Sequence, residues 1–134
     1  HALHTPHSLP PPGPAPDSQV APDPLLGARP MTGWSYALGL VTYAWGGEKI
    51  VDHAGFQIGY NSNVVMVPGR RSGFVLLLNG AGTYRGDGKM ARYAIEYRLL
   101  DMLTGRPEAD WAGRAREHGA LALAAIERER AQVA

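Results

Sequence analysis

Two short strings, "NVVMVP" at 63–68 and "FVLLLN" at 74–79, set the strongest limit on what this chain can fold into. Each has strand length and is rich in β-branched or aliphatic residues. The intervening "GRRSG" is a five-residue connection holding two glycines, the signal of a hairpin. Val64, Val65, Met66 and Val67 are apolar in succession, as are Val75, Leu76, Leu77 and Leu78. Neighbouring strand residues point to opposite faces, so the hairpin is apolar on both. A sheet built on it has to be covered on both sides.

The flanking residues supply part of that sheet and part of that cover. "WSYALGLVTYAW" from Trp34 reads as one strand, with Tyr36, Leu38, Leu40 and Tyr43 as packing candidates. "GGE" at 46–48 reads as a turn, the chain returns through "KIVDHAGF", and "GYNS" reads as the next turn. After the glycine-rich "GAGTYRGDG", a helix is expected from about Lys89 to Thr104, with Asp87 as N-cap. Met90, Ala94, Tyr97 and Leu100 form its apolar stripe; Ile95, Leu99, Met102 and Leu103 widen it. Gly105 and Pro107 end it. A second helical stretch follows, with Asp110 as cap and Gly113 and Gly119 as weak points.

The expected fold class is α/β in the broad sense (α+β): an antiparallel sheet of three to four strands backed by a C-terminal helix. One helix covers one face, so the chain reads as part of a larger fold. Residues 1–30 hold nine of the eleven prolines and read as an arm or linker. Residues 31–106 form the sheet and helix, and 107–134 a tail helix or a link to a further domain.

Several function classes drop out. Thirteen basic and 12 acidic residues leave a formal charge of +1, no basis for binding nucleic acid. No stretch approaches the ~20 apolar residues of a membrane span. With no cysteine, disulfides and thiolate chemistry are excluded. "GAGTYRG" lacks dinucleotide-fingerprint spacing, and "GDGKM" lacks the earlier glycine and the hydroxyl residue of a phosphate-binding loop. His1, His4 and His7 lie among prolines with no carboxylate between them, a poor zinc site. His118 falls on a polar helix. No cofactor is expected.

His53 remains, at a strand end in "HAGF". Alone it reads as a half-buried histidine bonded to backbone. In its surroundings it resembles the third motif, Lys-Thr-Gly or His-x-Gly, of the serine β-lactamase and penicillin-binding protein superfamily. "HTPHSL" at 4–9, "YALGL" at 36–40, the run from His53 to Gly80 and "AIEYRLLDMLTGRP" at 94–107 are similar, in order, to successive segments of its class C-like esterases and peptidases.

The resemblance implies a partial β-lactamase/transpeptidase-like fold and an acyl-enzyme acting on ester, amide or β-lactam bonds. His53 matches the basic residue of the motif, an imidazole where an ammonium is frequent. Gly55 matches its glycine, and the Phe56 backbone N–H matches one of the two oxyanion donors. Ala54 stands where threonine is frequent, beside Gly55 at the substrate. That departure, with His53, favours an esterase or peptidase-like relative. The family's Ser-x-x-Lys and Tyr-x-Asn are absent here and are expected on upstream polypeptide, the implied partner, with a small-molecule or peptide substrate. Without them the segment alone is expected to be inert. The alternative is a non-catalytic binding module of the same fold.

Overall fold

The computed structural model describes residues 30–79 and 87–133. Five strands, β1 (Met31–Ala37), β2 (Leu40–Trp45), β3 (Glu48–Gln57), β4 (Tyr60–Val67) and β5 (Ser72–Asn79), form one antiparallel meander in chain order. Two helices follow, α1 (Asp87–Thr104) and α2 (Trp111–Val133). The architecture is α+β, as the residue pattern implies. The proline-rich arm, "HTPHSL" and most of "GAGTYRGDG" lie outside the described residues.

Three expectations are corrected. The sheet has five strands, not three to four, because "WSYALGLVTYAW" is two strands rather than one. Gly39, at φ +74°, turns the chain in a left-handed conformation that costs glycine little. Second, "GYNS" is not a turn. Ile58 and Gly59 make a two-residue connection, with Gly59 at φ +85°, so Asn61 and Ser62 belong to β4. Third, the buried side of α1 is partly polar. Ile95 and Met102 are exposed, while Arg92, Glu96, Asp101 and Thr104 are buried with Met90, Tyr93, Tyr97 and Leu100. A period-3.6 stripe counted in apolar residues misses such charged groups.

Other local signals hold. Gly46 and Gly47 form the predicted turn, both with positive φ, the geometry of a tight hairpin. Asp110 caps α2 by accepting the Gly113 N–H at 2.8 Å. The end of α1 is a Schellman closure: Arg106 N–H donates to the Asp101 carbonyl and Gly105 N–H to that of Met102.

Alternation places Tyr43, Trp45, Ile50, Asp52, Asn63, Val65 and Val67 on the sheet face that receives the helices. Trp45 is fully buried there, its ring centroid 4.9 Å from Tyr97 and 5.8 Å from Trp111. Asp101, on α1, accepts Trp45 Nε1–H at 2.9 Å and Trp111 Nε1–H at 2.6 Å. One buried carboxylate therefore ties β2, α1 and α2 together. The opposite sheet face is buried at Ser35, Thr42 and Val51, and open toward β5, where Val75 is 62% and Leu77 79% exposed. Among the described residues no helix packs on that face.

Candidate functional site

His53 is paired with Val64, and Gly55 with Ser62. These residues share the face turned away from the helices, because strand side chains alternate. His53 is exposed, and Gly55 half-buried. A Cβ at Gly55 would run into the Ser62 hydroxyl, so the glycine is what allows that hydroxyl to lie over β3. Ser62 was not among the sequence candidates. Counting back from a two-residue turn at Ile58–Gly59 pairs it with Gly55, but reading "GYNS" as the turn hides this.

Ala54 falls on the other face, toward α1, so its methyl group does not join His53 and Gly55. The backbone of Phe56 is placed by the ladder. The two-residue turn makes Gln57–Tyr60 a hydrogen-bonded pair, so by alternation Gly55–Ser62 and His53–Val64 are bonded too. The N–H and C=O groups of Ala54 and Phe56 are then directed away from β4. On that side β2 accompanies β3 only from Glu48 to Asp52. The Phe56 amide thus points past the end of β2.

An open cavity of about 620 Å³ borders this strand end, lined by Gly55, Phe56, Tyr60, Ser62, Leu77 and Asn79 among others. Asn79, the last residue of β5, is part of its wall.

Beneath the strand, on the α1 face, lies a buried polar cluster. Tyr43 donates its hydroxyl to Asp52 Oδ2 at 3.0 Å. Asn63 Nδ2 and Arg92 Nη1 both donate to Glu96 Oε2 at 2.8 Å. Burial pushes the Asp52 carboxyl up to about 6, against the opposing pull of the Tyr43 hydrogen bond and the Arg92 charge. Burial, then the charges of Asp52 and Glu96, hold the Tyr43 hydroxyl well above its ordinary range.

A stability prediction follows for Asp52. Between its ordinary 3.8 and about 6 the folded chain holds a proton that the unfolded chain has released, so stability falls as pH rises through that window. A rise from 3.8 to about 6 corresponds to ~3 kcal/mol. Asp52→Asn is expected to abolish this loss. Urea titrations at about pH 4 and 7 check it, and equal pH slopes in wild type and variant would contradict it.

Among the described residues no group of three or more His, Cys, Asp or Glu is placed to hold a metal ion, and no helix is long and apolar enough to cross a membrane. No family model matches the chain, and no curated protein or solved structure matches it.

Proposed function

We propose that this chain forms the C-terminal wall of a serine hydrolase related to the β-lactamases and penicillin-binding proteins, working through an acyl-enzyme on ester, amide or β-lactam bonds. The observation that carries the reading is the joint placement of His53 and Gly55 on the sheet face opposite α1 and α2, at the strand end where Gly55 and Phe56 border the open cavity. In this reading, upstream polypeptide bearing Ser-x-x-Lys and Tyr-x-Asn completes a β-lactamase-like fold. It packs on the exposed side chains of Val64, Val75 and Leu77, meeting the demand for cover on both sheet faces.

The chemistry needs one wall that binds and one that attacks. The serine hydroxyl gives its proton to the lysine of Ser-x-x-Lys as it adds to the substrate carbonyl, a C–O bond forms, the carbonyl π bond breaks, and the carbonyl oxygen takes up the negative charge; the proton passes to the leaving group when it departs. Collapse of that intermediate expels the leaving group and leaves the acyl-enzyme. A rigid N–H donor aimed at the developing oxyanion is worth roughly 2.7–4 kcal/mol, and the Phe56 amide is assigned that role. His53 exchanges a proton with, or orients, the reacting groups. Gly55 leaves room for the Ser62 hydroxyl to lie over β3 beside the substrate, and Ala54 takes part through its backbone.

Treating the intact protein with a fluorophosphonate should label the serine of an upstream Ser-x-x-Lys. The present chain, whose serines at 8, 18, 35, 62 and 72 lack a lysine three residues later, should stay unlabelled. A folded intact protein that takes up no probe and turns over no ester or β-lactam sinks the hydrolase reading. It would leave the binding module.

A further inference from the structure

The second half of α2 is apolar on every side and yet open to solvent. Ala120 to Ile126 are apolar in succession, close to two turns of helix. A helix that is apolar all round is normally buried. Here α2 seats on the core through Trp111 and Ala115 in its first turns. Among the described residues all of α2 beyond Gly119 is exposed, Leu121 at 47% and Leu123 at 55%. Arg116, Ala120, Leu123 and Glu127 recur at alternate spacings of four and three, which puts them on one face, and all four are exposed.

We propose that this face is a contact between two copies of the chain, their α2 helices paired antiparallel about a two-fold axis between Leu121 and Ala122. That axis sets Arg116 opposite the second copy's Glu127 and Ala120 opposite its Leu123. Symmetry repeats both pairs in reverse, so one face is its own complement. A large side chain meets a small one at the centre, and opposite charges meet at both ends. Arg130, on the same face, falls opposite Gly113, where the Asp110 carboxylate caps the helix. A parallel pair would set Arg116 against Arg116 and Glu127 against Glu127, so the charges select the antiparallel one. From Arg116 to Glu127 the helix rises about 16 Å. A contact of that length buries less than the ~1,200–2,000 Å² of a standard interface, so the dimer is weak and depends on concentration. It does not depend on the hydrolase reading.

Sedimentation of this chain from ~5 to ~500 μM, the range in which a small interface associates, tests the contact. A reversible passage from monomer to dimer is expected, weakened by salt. Arg116→Glu and Glu127→Arg each set like charges opposite one another in both symmetry-related pairs, and each should raise the dissociation constant at least about tenfold. The double variant restores both pairs and should return to within about threefold of wild type. Leu123→Lys should leave a monomer. Circular dichroism checks that each variant keeps its helices, which exposed positions are expected to allow; if a single reversal unfolds α2, the double variant decides. A chain that stays monomeric throughout overturns the proposal and leaves this face to another segment of the intact protein. A dimer indifferent to the single reversals also overturns it, as does a double variant that associates no better than they do.

Discussion

Asp101→Ala is expected to cost about 4 kcal/mol, a large share of the ~5–15 kcal/mol that holds a domain folded. The reason is where the carboxylate sits. It is 1% exposed and accepts two indole N–H groups, those of Trp45 and Trp111, at 0% and 3% exposure. Truncation leaves both donors buried without an acceptor, at ~1–3 kcal/mol each, and opens a cavity among the aromatic rings. Asp101→Asn keeps one acceptor but sets an NH₂ against an indole N–H, so its cost should be about half as large. Urea unfolding followed by tryptophan fluorescence measures both, the midpoint moving with an unchanged slope. An alanine variant within about 1 kcal/mol of wild type would show that the three elements are held by ring packing alone.

The second large effect is on the turnover that the proposed hydrolase reading assigns to the intact protein. In the intact protein, His53→Ala should lower kcat/KM by about 10²- to 10⁴-fold, the range for a positioned proton-handling group. Its folding should be nearly unchanged, because the exposed imidazole is not part of the core. His53→Lys should retain more activity than the alanine variant, since it restores a donor at the same strand position. Ester hydrolysis beside thermal melting separates the cases. A His53→Ala protein that unfolds makes the imidazole structural, and one with full turnover removes it from the site.

The exposed pair Arg70–Glu48, at 2.8 Å, makes a useful contrast. Both groups stay hydrated, so its removal should cost under about 1 kcal/mol despite a geometry as short as that of the buried Arg92–Glu96 pair.

Turn and pairing signals were legible because they act between residues close in sequence. Gly46–Gly47, the β4–β5 hairpin, the Asp110 cap and the close of α1 at Gly105 all follow from local backbone preferences. The split at Gly39 and the turn at Ile58–Gly59 were misread because a single glycine between apolar residues fits a strand, a bulge or a turn until pairing decides. That register then determines which side chains share a face. It sets Ser62 against Gly55 and turns Ala54 away from His53. The sequence by itself settled that the β4–β5 hairpin is apolar on both faces, since consecutive aliphatic residues on a pleated strand permit nothing else. Only the tertiary structure decided which face the helices take, and so left His53 on the open one. It also recruited Arg92, Glu96 and Asp101 into the interior, because burying a charge depends on partners from elements far apart in the chain.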